Sequence, residues 1–264
     1  MGWNNDVTSL SPYVVRVETR WRMGTGFVCR AFGDTLLIAT ANHVVTEANE
    51  AKEPIEILRD DWTLGVEIEE QERTVISSPL AGSDTAIIFV KSEILPDIAH
   101  NLVPFIAWDK PLEVGEEVAW LGFPGIDSLG PRPLCLFSGI VSAKVGDKSL
   151  LYLIDGSGIQ GVSGGPVFRM NKGGHPEPAG KPSFLGVIST YHPHFTKIKR
   201  PNKKREQEFS IGGLVAAESL TSFSTIVATY ENLTQTVGEV GERLENWKAA
   251  GYPTLGKPLS GQDV

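Results

Sequence analysis

The chain has 264 residues, of which 41% are hydrophobic and 21% charged, enough to build one large core or two smaller ones. Its formal net charge of −8 argues against a general nucleic-acid binder. No apolar run approaches the roughly 20 residues of a membrane-spanning helix. The two cysteines, Cys29 and Cys135, stand far apart, a usage that suits a reducing compartment and two packed, reduced thiols.

The opening stretch MGWNNDVTSLSPYVV has no basic segment leading into an apolar run, so no signal peptide and a cytoplasmic location are expected. Short apolar segments then recur between turn signals. The first group is YVVRVET, GTGFVCR, TLLIAT, PIEILR, LGVEIEE and TAIIFV; the second is EEVAWLGF, CLFSGIVSA, LLYLID, GPVF, FLGVIST and FSIGGLVAA. Most are too short for helices, and this spacing predicts an all-β protein of barrels or sandwiches rather than alternating βα units. A proline-broken stretch of mixed character separates the two groups. The expected organisation is one β module over residues 1–95, a linker over 96–112, and a second module over 113–218.

Two polar insertions, 170–183 and 192–208, are rich in turn formers and charge and are expected to be exposed loops. The run KIKRPNKKR in the second of them reads as a solvated face, the alternative being a contact with an acidic substrate, a partner or nucleic acid. Beyond residue 218, Leu220, Phe223, Ile226, Val227, Tyr230 and Leu233 recur at helical spacing. A C-terminal helix and extension over 219–264 follow from that pattern.

One stretch carries chemistry. In GIQGVSGGPVF, Ser163 stands among glycines with Pro166 close behind, where a backbone must bend sharply or approach something closely. A serine hydroxyl is a poor nucleophile unless a histidine, itself oriented by a carboxylate, takes its proton. Of the five histidines, His175, His192 and His194 fall in the polar insertions and His100 in the linker, leaving His43 in LLIATANHVV. Asp84, in AGSDTAIIFV, is the acid placed directly at the start of a strongly apolar strand. Taken singly, His43 reads as structural and Asp84 as a strand-entry turn residue. GVSGG also fits the G-x-S-x-G elbow of α/β-hydrolases. That fold needs a helix after the serine and the order Ser, Asp, His, neither of which is present.

In the order His43, Asp84, Ser163 the chain resembles the trypsin/chymotrypsin-like serine proteases, nearest to bacterial intracellular or stress-type members, over roughly residues 13–232. GTGFVCR with LLIATANHVV is similar to that family's strands leading into the catalytic histidine, SDTAIIFV to its aspartate strand, and GVSGGP to its serine loop. PLEVGEEVAWLGFPG resembles the opening of its second barrel and FLGVIST its substrate-binding strand. The resemblance implies two six-stranded antiparallel barrels with a C-terminal helix, the active site lying between the barrels. It implies a serine endopeptidase with His43 as base and acid, Asp84 orienting it and Ser163 as nucleophile. The N–H groups of Gly161 and Ser163 would form the oxyanion hole, with neither metal nor organic cofactor. A trypsin-like fold used only as a binding module is the alternative.

Ser189, Thr190 and Tyr191 match the substrate-binding segment, Ser189 being the serine that in this family lies beside the aspartate. Two departures bear on control and specificity. Val162 stands where secreted members carry an aspartate that pairs with a new N-terminus, so zymogen activation of that kind is not expected. Control would fall to loop ordering, a regulatory protein partner or assembly, because a misplaced Gly161 carbonyl would close the oxyanion hole. Ser157 stands where a trypsin-type pocket has an acid, and Tyr191 where deep pockets have glycine. The expected substrate is a protein or peptide cleaved after a small or medium apolar residue rather than Arg or Lys.

Overall fold

The first six apolar segments form strands of one sheet. The computed structural model describes residues 3–32, 34–59, 65–80, 82–99, 106–107, 112–126, 133–145, 151–169, 183–198 and 207–219. Strands β1 (Val14–Glu18), β2 (Met23–Phe32), β3 (Thr35–Ala41), β4 (Ile55–Leu58), β5 (Val66–Ile68), β6 (Arg73–Ser77) and β7 (Thr85–Lys91) pair in the order β5-β4-β1-β2-β3-β7-β6. All neighbours in this sheet are antiparallel. The central strands β3 and β7 are buried along almost their whole length, on both faces of the pleat. That is why LLIATA and TAIIFV read as continuous apolar runs rather than alternating ones.

The second sheet contains β8 (Ile106–Ala107), β9 (Glu117–Gly122), β10 (Cys135–Val145), β11 (Leu151–Gly156), β12 (Pro166–Arg169), β13 (Ser183–Ile198) and β14 (Gln207–Ser219). Their order is β12-β9-β10-β11-β14-β13-β8, and an additional β12–β13 pairing closes six of them into a ring. Closure removes the free edges that an open sheet would present. The architecture is therefore mostly β, with one closed six-stranded barrel and one open, curled sheet. The seventh strand of the second sheet, β8, comes from the stretch read as linker and pairs in parallel with Ser183 and Phe184.

Each sheet has its own core. Val17, Ile38, Ile57 and Ile88 lie at the centre of one. Trp120, Val141, Ile154 and Val215 lie at the centre of the other, with Trp120 stacked on Phe137 at 5.9 Å. Both sheets belong to one compact unit. They touch through Phe27 of β2 and Phe184 of β13, edge to face with ring centroids 4.5 Å apart.

Two helices of eight or more residues were not anticipated from the pattern. Helix α1 (Trp3–Leu10) precedes β1, and α2 (Asn42–Ala51) follows β3 directly. The insertion at 192–208 also departs from expectation. Residues 192–198 continue β13 and pair with 207–214 of β14, so this segment is largely a two-stranded ribbon rather than a loop. Its charges and Pro193 disguise it, because a ribbon is built on backbone pairing and needs no apolar face. The tip at 199–206, most of the insertion at 170–183 and the helix expected after residue 219 lie outside the described residues. No described helix is long and apolar enough to cross a membrane.

Neither cysteine is bridged. The Cys29 thiol donates to the Leu37 carbonyl at 3.3 Å, and burial pushes its pKa up to about 12. A thiol with so raised a pKa is almost wholly protonated, and so unreactive, near neutral pH. A soluble thiol reagent at pH 8 is therefore expected to leave Cys29 unlabelled in the folded protein and to label it in urea. Peptide mapping by mass spectrometry checks this.

Candidate active site

Helix α2 begins without help from its own sequence. Ala41, in the N-cap position, has no side chain that can accept a hydrogen bond. Asp84, at the entry to the neighbouring strand β7, supplies what is missing. Its carbonyl accepts from Asn42 N–H at 2.9 Å, and its Oδ1 accepts from His43 N–H at 2.9 Å. The carboxylate thus sits at the positive end of the helix, where negative charge is favoured. Its second oxygen, Oδ2, lies 2.6 Å from His43 Nδ1. A carboxylate can only accept, so Nδ1 carries the proton, and Nε2 of the neutral ring is left as an acceptor. The imidazole is 41% exposed and the carboxylate 25%, so the ring reaches solvent while its anchor is partly withdrawn.

Ser163 comes from the turn between β11 and β12, in the second sheet. It lines, together with His43 and Asp84, a single cleft of about 490 Å³. Three carbonyl groups of this turn are held from behind. Gln160 C=O accepts from Gly125 N–H at 2.7 Å, Gly161 C=O from Thr25 Oγ1 at 2.8 Å, and Val162 C=O from Gly165 N–H at 2.9 Å. In a trans peptide the N–H points opposite to the C=O. The first and third bonds therefore turn the N–H groups of Gly161 and Ser163 to the other side of the turn. Neither N–H has an acceptor among the described residues.

Gly161 has φ +96° and Gly164 φ +89°, a region costly for any residue with a Cβ. At Gly164 there is also no room, since a Cβ would overlap the Thr25 carbonyl oxygen and crowd Thr40 Oγ1. The spacing of GVSGG is thus dictated by backbone shape and by the closeness of the other sheet. Val162 is buried in the core of the second barrel and makes no ion pair.

The rest of the cleft wall comes from β13 and β14. Ser189 is the extra residue of a bulge, between the Ile188–Ala217 and Thr190–Ala216 pairs. It is buried, and its hydroxyl donates to Ala216 C=O at 3.4 Å. A bulge re-aims a side chain next to a site. Thr190 lines the cleft as well, as do Ile188 and Val215, which the sequence reading passed over. Val215 pairs with Tyr191 across the ladder, a relation that a single strand's sequence cannot reveal. Ser157 is exposed just past the end of β11, and the wall begins one residue further on, at Gly158. The Tyr191 side chain lies outside the described residues. No cluster of potential metal ligands occurs among the described residues.

Residues 24–174 match the model of the trypsin-like peptidase domain, and the chain belongs to that family. No curated protein matches the sequence at a significant level. Among solved structures, the Rv3671c protease of M. tuberculosis H37Rv in its inactive form shares 20% identity, with 86% of this chain and 92% of that one covered and a TM-score of 0.54. A thermostable serine protease, AL20, from an extremophilic microorganism shares 14% identity over 84% of this chain and 99% of that one, with a TM-score of 0.54. The protease Anisep from Arthrobacter nicotinovorans shares 13% over 80% and 91%, with a TM-score of 0.51. At these identities the structures speak for the fold, which is chymotrypsin-like.

Gly82 offers a control for Gly164, since it also has positive φ but open space around its Cβ position. Gly82→Ala is expected to cost about 1–2 kcal/mol. Gly164→Ala is expected to cost more than about 3 kcal/mol, because strain and overlap add. Urea unfolding of the two variants measures the difference.

Proposed function

We propose that the protein is a serine endopeptidase acting through an acyl-enzyme intermediate. One observation carries the reading. Asp84 holds both the backbone N–H and the Nδ1 of His43, and so presents Nε2 as a base in the cleft that Ser163 lines. In the proposed reaction His43 Nε2 takes the Ser163 proton as Oγ bonds to the scissile carbonyl carbon. The resulting oxyanion accepts from the N–H groups of Gly161 and Ser163, each such donor being worth about 3 kcal/mol. His43 then gives its proton to the departing amine as the C–N bond breaks. Water, giving a proton to the same nitrogen, then adds to the acyl carbon; the bond to Ser163 Oγ breaks, and His43 returns that proton to Oγ as the acid product leaves. Asp84 stays ionised throughout and stabilises the imidazolium.

The substrate in this proposal is a protein or peptide. Among the described residues that line the cleft, the one acid is Asp84, already committed to His43, and the wall includes Ile188, Thr190 and Val215. A cationic P1 side chain would find no counter-charge there, so a small or medium apolar residue is preferred. Control by a regulatory protein partner and a cytoplasmic setting belong to the same reading, the latter supported by two unbridged thiols.

A fluorophosphonate probe is expected to add once to the wild-type protein and not to Ser163→Ala or His43→Ala, read by intact mass. Asp84→Asn should keep an oxygen on the His43 backbone N–H yet lower kcat by about 10⁴, since it favours the wrong tautomer. No adduct on the wild type would leave a site held closed pending a partner or the binding-module alternative, and an adduct gained on adding cell lysate would select the first. Cleavage of a peptide library should favour Ala, Val or Leu at P1; a clear preference for Arg would overturn the specificity proposal.

A further inference from the structure

The geometry points to Thr25 as the positioning residue that keeps the oxyanion-binding turn open, an inference that rests on the serine-peptidase reading above. Thr25 belongs to β2, in the first sheet, yet its polar atoms are engaged on the turn of the second or on its supports. Its N–H donates to Ser163 C=O at 2.7 Å. Its hydroxyl donates to Gly161 C=O at 2.8 Å and accepts from Phe123 N–H at 3.0 Å. Its carbonyl accepts from Thr40 Oγ1 at 2.7 Å. Thr25 and Thr40 are both fully buried.

The direction of the hydroxyl proton follows from its partners. Phe123 N–H can only donate, so Thr25 Oγ1 accepts there and its single proton goes to the Gly161 carbonyl. Removing the hydroxyl leaves two buried backbone groups without partners at once. Gly161 is also the residue best able to respond. The peptide after it can turn about a glycine on one side, while Val162 is anchored in the core on the other. A released Gly161 carbonyl regains a partner by turning toward the water of the cleft. Its negative pole would then lie where the oxyanion has to form. The glycine that permits the productive turn also permits its collapse. The same peptide is held on its other side only by a long bond, from Val162 N–H to Ile159 C=O at 3.3 Å, so the shorter Thr25 bond decides between the two.

The test compares Thr25→Val, which keeps the shape and removes the donor, with Thr25→Ser, which keeps the donor. Thr25→Val should lower kcat by about 10²-fold with KM little changed, as expected when stabilisation is lost in the transition state alone. Affinity for a peptidyl trifluoromethyl ketone, whose adduct carries an oxyanion, should fall in parallel, and Thr25→Ser should restore most of both. If Thr25→Val does not fold, Thr25→Cys, with its weaker donor, carries the same comparison. Wild-type kcat in Thr25→Val below its melting temperature, or equal impairment of the Val and Ser variants, would overturn the proposal alone. A wild type that neither reacts with fluorophosphonate nor binds the ketone would overturn the serine-peptidase reading, and this proposal with it.

Discussion

The carboxylate of Asp84 meets two needs that arise at the same place. A helix beginning at Asn42 leaves backbone N–H groups unpartnered, and its own N-cap residue, Ala41, cannot satisfy them. A histidine one residue into that helix has a ring that is free to rotate unless something holds one nitrogen. Asp84 takes the His43 backbone N–H with one oxygen and the ring with the other, so helix start and ring orientation share one anchor. Position in the first sheet is passed on to the cleft through this single side chain. The antiparallel pairing of β3 with β7 sets the spacing, because Ala41 and Thr85 are partners at its end.

The second sheet brings the other half of the site, and the join between the halves is polar as well as apolar. Phe27 and Phe184 supply directionless attraction. Thr25, Phe123 and the Ser163 turn supply hydrogen bonds that are satisfied in only one relative placement of the sheets. Buried polar groups lose heavily when mispaired, so such a join specifies geometry more sharply than an oily contact can. The glycines at the join have the matching role: Gly164 lets the two backbones approach to a distance that no other residue would allow.

Much of this was legible in the sequence. Alternating and continuous apolar runs located the strands, and the order of His43, Asp84 and Ser163 among them pointed to a cleft that all three now line. The less legible parts share a cause. Helix α2 was missed because its start signal, Asp84, is 42 residues from its N-terminal residue and belongs to another strand. Trp3, Val7 and Leu10 stand at helical spacing, but one such set in eight residues does not distinguish α1 from a loop. The ribbon at 192–198 was hidden by its composition, and the place of Val215 in the cleft depends on a ladder register. Thr25 looks like any β-branched strand residue until the second sheet is set against it. Local pattern encodes local structure; what passes between elements has to be seen in three dimensions.

The long pairing of β13 with β14 makes one mechanical element of two distant places. Ile188, Ser189 and Thr190 form part of the cleft wall, and the same strand runs on to Ile198, opposite a second bulge at residue 211 of β14. At about 3.3 Å per residue, the eight steps from Thr190 to Ile198 carry the ribbon roughly 26 Å along its axis. A hydrogen-bonded pair of strands resists stretching far more than it resists bending or twisting. Only a load directed along the strands therefore reaches Thr190 and its neighbours in the cleft wall; a sideways load is taken up by bending on the way. The ribbon is a tether rather than a lever, and it is fastened at the wall of the cleft.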